Sequence, residues 1–253
     1  MSENSAYPLV VFAVSLAVQW LAAYCGSFLR KRFKPLSRDD HEDIGVILTA
    51  AMTLLALIIG FSFSMAVTRY DQRKNYEEAE ANAIGTEYLR ADLLPGNDAA
   101  QVRERLKAYL DLRIAFYEAS GASRIDRIAA DTVNLQNELW RAVLPAANSH
   151  QTPIVSLAVA GMNDVINAQG YTQAAWWNRL PAGAWAIMGL IAIATNALLG
   201  FSERRKGIVL LVILPVILAT AFLLIADIDS PRGGLIRVLP YNLLALSQTL
   251  GRP

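Results

Sequence analysis

Four stretches of the chain run for 20 or more positions without a charged residue: Ala6 to Leu29, Ile44 to Thr68, Leu180 to Ser202 and Gly207 to Ala226. A helix rising 1.5 Å per residue needs about 20 apolar residues to cross about 30 Å of hydrocarbon. Lipid offers no partner to a bare peptide group, so such runs must be helices. The pattern predicts an all-α integral membrane protein with four transmembrane helices in two pairs.

Between the pairs the pattern changes. Residues 30–43 (RKRFKPLSRDDHED) form a polar connector ahead of span two. After that span, Tyr70 to Leu93 is rich in Ala, Glu, Arg and Leu, all good helix formers. It reads as span two continued beyond the bilayer, one helix of about 50 residues ended by Pro95-Gly96-Asn97-Asp98. Gln101 to Ala119 is a further helix, with Val102, Leu106, Leu110 and Ile114 on one stripe. Ile125 to Val143 is another, whose apolar residues are Ile128, Val133, Leu135, Leu139 and Val143. Thr152-Pro153 opens a helix running through Leu157, Met162, Val165 and Ile166 to Trp176-Trp177, which reads as an interfacial aromatic belt. Glu203 to Lys206 is a hairpin, Asp227 to Gly234 a turn, and Tyr241 to Leu250 a short amphipathic helix at the membrane surface. The expected division is therefore 1–69, first transmembrane pair; 70–178, helical extramembrane domain; 179–228, second pair; 229–253, turn and surface helix.

Composition agrees: 54% of residues are hydrophobic and 18% charged, against about a quarter charged in soluble domains. A net charge of +1 gives no field that calls for nucleic acid. The single cysteine, Cys25, excludes an intrachain disulfide and a cysteine metal cluster. Span one has no basic residue before it and Arg30-Lys31-Arg32 after it, the arrangement of a retained anchor. The two short connectors hold eight lysines and arginines: Arg30, Lys31, Arg32, Lys34, Arg38, Arg204, Arg205 and Lys206. Basic residues in short loops favour the cytoplasm. The expectation is a multi-pass inner (plasma) membrane protein with these connectors inside and the helical domain outside.

The residues show no catalytic constellation. His41 and His150 lie apart with no ligand spacing, and no phosphate loop, dinucleotide fingerprint or nucleophile elbow occurs. No enzyme activity, metal or cofactor is expected. Glu77, Glu78, Glu80 and Glu87 along the extended helix could line a cation vestibule, or be a solvated helix face. Asp227 and Asp229 with Arg232 stand at the end of span four, either as an ion site or as a boundary ion pair. Span two is the most informative. Thr49, Thr53, Leu57, Phe61, Ser64 and Thr68 follow three or four residues apart, hydroxyls at the ends and a Leu–Phe pair in the middle. Copies of this helix around an axis would make a pore with a hydrophobic neck, which can gate by dewetting. The same stripe could instead be a helix-packing face.

Gly60-Phe61 and Val67-Thr68-Arg69-Tyr70 resemble the second-helix signature of bestrophin anion channels. The resemblance implies a neck at Thr53, Leu57 and Phe61. Over most of the chain from about residue 44, the sequence looks like the bacterial bestrophin-like domain family. Ala81-Asn82-Ala83-Ile84-Gly85, Tyr88 to Leu94, Met162-Asn163-Asp164 and Asp229-Ser230-Pro231 with Gly234 match its motifs. No acidic cluster follows span four, so calcium activation is not implied. The implied function is a homo-oligomeric channel in the lipid bilayer, pentameric if the resemblance holds. It would conduct small anions, with Thr53, Leu57, Phe61, Ser64 and Thr68 lining the pore and Arg69 at one mouth. The alternative is a membrane-anchored scaffold or sensor whose helical domain binds a partner protein.

Overall fold

The computed structural model describes residues 6–32, 37–202 and 208–251. The expected hairpin at Glu203 to Lys206 lies outside them, as does Lys34. Eight α-helices occur among the described residues: α1 (Tyr7–Arg30), α2 (Arg38–Arg90), α3 (Gly96–Glu118), α4 (Ala122–Ser149), α5 (Pro153–Trp177), α6 (Ala182–Ser202), α7 (Ile208–Asp229) and α8 (Tyr241–Thr249). No strand occurs among the described residues. Four helices, including α1 and α7, are long and apolar enough to cross a membrane.

Local chemistry explains the ends. Ser37 and Asp40 form a reciprocal capping box at the start of α2, with Ser37 N–H donating to the Asp40 carboxylate at 2.8 Å and Asp40 N–H to Ser37 Oγ at 3.1 Å. These bonds hold the Asp40 carboxyl below its usual range. Helix α2 then runs 53 residues unbroken, about 80 Å at 1.5 Å per residue. Thr152 caps α5 by accepting from Val155 N–H at 3.3 Å, and Pro153 occupies the first turn.

The chain divides into two compact units. One holds residues 6–69 and 179–237, hence α1, the first part of α2, α6 and α7. Small residues let α1 and α6 approach closely. A Cβ on Gly26 would stand 2.0 Å from the Ala197 carbonyl oxygen, and one on Gly200 2.0 Å from that of Ala23, the close contact that membrane helix pairs favour. Arg30 closes the end of α6, donating to the Phe201 and Ser202 carbonyls at 3.0 and 2.8 Å. Deeper in, Asn196 Nδ2 donates to Gln19 Oε1 at 3.1 Å, both residues buried.

The other unit holds residues 70–178 and 238–251: the rest of α2 with α3, α4, α5 and α8. Its core contains Val102, Leu106 and Leu110 of the expected α3 stripe, with Leu139, Met162 and Val165. Of the apolar residues of α4, Ile128, Leu139 and Val143 are buried and Val133 is exposed; five residues after Ile128, it is rotated about 140° from that residue. Trp176 is also not an interfacial residue. It packs edge-on against Phe116 and Tyr117, at centroid distances of 5.0 and 5.4 Å, and only Trp177 is exposed. Helix α8 is built into this unit: Leu243 is fully buried, and Leu246 Cδ1 lies 3.0 Å from where a Cβ on Gly85 would stand.

Candidate functional site

Helix α2 carries two different faces in its two parts. In the membrane part, Leu55, Ser62 and Ala66 are buried. On a helix turning 100° per residue they fall within about 40° of one another. Thr53, Leu57, Phe61, Ser64 and Thr68 are all exposed within the single chain, Phe61 to 64%. Their mean direction lies on the other side of the helix, about 160° away. The hydroxyls at both ends of this stripe are satisfied within the helix: Thr53 Oγ1 donates to the Thr49 carbonyl at 2.8 Å and Thr68 Oγ1 to that of Ser64 at 2.9 Å. The stripe is thus available to water, lipid or a second copy.

Arg69 stands one residue on and faces the packed side. Its side chain is 14% exposed, with Nη1 3.9 Å from Asp229 Oδ1. Asp229 also accepts from Leu180 N–H, at 3.0 and 3.1 Å. Asp227 accepts from Leu235 and Ile236 N–H at 2.8 and 2.9 Å. Two carboxylates at the C-terminal end of α7 oppose the helix dipole, and these donors offset that. Arg232 lies half-buried in the following turn. The structure therefore brings Arg69 to Asp229, and spends both carboxylates on backbone donors.

Beyond residue 70 the buried face of α2 becomes polar. Arg73, Glu77, Glu80, Ile84 and Glu87 are buried, spaced four and three residues apart in alternation, the spacing of a heptad seam. Neither a vestibule nor a solvated face describes Glu77, Glu80 and Glu87; of the four acidic residues only Glu78 is exposed. Each buried group but one has specific partners. Arg73 donates to the carbonyls of Ala175 and Asn178, both at 3.3 Å, at the end of α5. Glu77 caps α8, accepting from the backbone N–H of Asn242 and Leu243 at 2.9 and 3.0 Å and from Asn242 Nδ2 at 2.5 Å. Glu80 pairs with Arg113 at 2.5 Å and accepts from Thr172 Oγ1 at 3.1 Å. Desolvation pulls the Arg113 guanidinium down, but Glu80 and Tyr109 reverse this and hold it above its ordinary value. Burial first, and Glu80 second, push the Tyr109 and Tyr117 phenols up. Glu87 is the exception. It is fully buried and neither oxygen has a hydrogen-bond partner among the described residues. Burial pushes its carboxyl up to about 8, against the pull of Arg90.

The comparisons with known proteins fit this architecture. The Bestrophin-like domain family matches residues 6–243. The chain belongs to that family. Three crystal structures of a bacterial bestrophin homologue from Klebsiella pneumoniae, two of them point mutants, share the fold of the bestrophin-like chain. The first mutant has a TM-score of 0.65 at 14% identity, covering 96% of this chain and 94% of that one. The second has a TM-score of 0.62 at 15% identity, covering 94% and 95%. The third structure has a TM-score of 0.61 at 15% identity, covering 96% and 95%. Among curated proteins none matches. Bestrophins are ion channels, and membership supports a channel reading of the bestrophin-like chain. The sequence signal that could have found the buried seam was its four-three spacing, which a search for apolar stripes passes over.

Proposed function

We propose that this protein is an oligomeric ion channel whose pore is lined by α2 from each copy, conducting small anions. Leu57 and Phe61 form a hydrophobic neck, and Thr53, Ser64 and Thr68 line wetter mouths. Arg69 adds positive potential near one mouth, reduced by Asp229 beside it. The assembly is a homo-oligomer, a pentamer by analogy with bestrophins, in the inner membrane with the helical domain outside. The observation that carries the reading is the exposed stripe on α2, set opposite the packed stripe, in a chain of this family. A bulky aromatic ring left open within the chain fits a neck that only several copies complete. The test is recording from purified protein in planar bilayers, wild type against Phe61→Ala. The expected result is a wild-type conductance that rises in the variant, with a reversal potential in a salt gradient set by the anion. Silence from both, with intact oligomers present, removes the proposal.

The scaffold reading has one observation in its favour: Val133, Trp140 and Leu144 form an exposed apolar stripe on α4. A partner captured in stoichiometric amount by the full-length protein, and lost in Trp140→Glu, would favour it over conduction.

A further inference from the structure

Glu87 is the one member of the α2 seam with no bond to hold its charge. Its carboxyl lies against Gly161 of α5, so closely that a Cβ there would stand 1.9 Å from Oε2 and 2.5 Å from Arg90 Nη1. Glycine at this position leaves the room that the Glu87 carboxyl and the Arg90 side chain occupy. The charged groups acting on Glu87 are Arg90, one turn on along α2, and Asp164 of α5. Arg90 Nη1 lies 3.7 Å from Asp164, with both side chains partly exposed, and it also stands beside the Glu87 carboxyl at Gly161 without a hydrogen bond to it. The cluster therefore holds two carboxyls and one guanidinium, with the guanidinium at ion-pair distance from the exposed carboxylate and near the buried one, which has no hydrogen bond. A buried carboxylate in that state is expensive, and neutralisation is the ordinary relief.

We propose that Glu87 is a proton-operated latch between α2 and α5. Neutral, the carboxyl rests on Gly161 and the two helices close. When the proton leaves to solvent, the carboxylate closes on the Arg90 guanidinium beside it, at the expense of Asp164, and admits water, and the contact around Gly161 opens. The sign of the pH effect follows from the raised value of about 8 against the ordinary 4.5. Between those limits the folded chain keeps a proton that the unfolded chain has lost, so stability falls as pH rises and levels off above about 8.

The test uses full-length protein in lipid nanodiscs. Thermal midpoints are measured from pH 5 to 9.5 for wild type, Glu87→Gln and Asp164→Asn. Relative to Glu87→Gln, the wild-type midpoint is expected to drop by about 3–5 °C per pH unit up to the break. Asp164→Asn removes a charge that raises Glu87, so its break moves to lower pH. Amide exchange over residues 158–166, corrected for its intrinsic pH dependence, rises in wild type across the break and stays flat in Glu87→Gln. The latch is overturned if Glu87→Gln keeps the wild-type slope, or if the exchange step survives in that variant. Should Glu87→Gln not fold, an unmoved break in Asp164→Asn overturns it alone. None of these readouts depends on conduction, so a silent channel would leave the latch standing.

Discussion

Helix α2 reverses the usual rule of burial along its own length. In its membrane part, Leu57 and Phe61 are exposed within the chain while Ser62 is buried. In its second part, Leu89 is exposed while Arg73, Glu77, Glu80 and Glu87 are buried. One half meets a medium that accepts apolar side chains, so close approach decides what is covered. The other half meets α3, α5 and α8, whose donors and charges decide it. Hydrophobicity alone predicts neither; what the partner surface offers does.

The sharpest way to break this contrast is at the buried pair. Glu80→Ala leaves Arg113 charged and without its carboxylate, which is expected to cost about 3–5 kcal/mol in denaturant unfolding. Replacing both, as Glu80→Leu with Arg113→Met, is expected to recover most of that loss. In the membrane unit the corresponding break is steric. Gly200→Ala sets a methyl group against the Ala23 carbonyl and is expected to cost about 1–3 kcal/mol by parting α1 from α6, read as a lower thermal midpoint in micelles. Glu77→Gln keeps the shape but weakens the cap of α8, for a loss of about 0.5–2 kcal/mol and faster amide exchange over residues 241–249. The smallest stability change is expected at the exposed stripe: Leu57→Ala should stay within about 0.5 kcal/mol of wild type in the dissociated chain. A large loss there would mean the residue packs within its own chain.

The four membrane helices were legible because length without charge is a local property, and α5 because Thr152-Pro153 is a local signal. Helix α4 runs on to Ser149 through Pro145, past the expected end near Val143. Ala146 in that extension is buried, a tertiary contact that no local rule reports. The stripe Thr53, Leu57, Phe61, Ser64 and Thr68 was legible as a face, since helical spacing is periodic. Which side of α2 packs was not, because the buried side, Leu55, Ser62 and Ala66, is no more polar or apolar than the rest. The seam at Arg73, Glu77, Glu80 and Glu87 was hidden for a different reason. Charged residues spaced along a helix read as surface, and only their long-range partners, Arg113 and Asn242 among them, reveal otherwise.

The cap that Glu77 places on α8 has a consequence for biogenesis. Its backbone partner Asn242 lies 165 residues later. A ribosome adding about 5–20 residues per second delivers that partner on the order of ten to thirty seconds afterwards. Through that interval the carboxylate must stay hydrated, so the bundle around it stays unsealed until α8 arrives. Arrival of α8 thus doubles as a folding check on the bundle: a nascent chain stalled before Leu243 would show quality-control proteases a wet, unfinished groove.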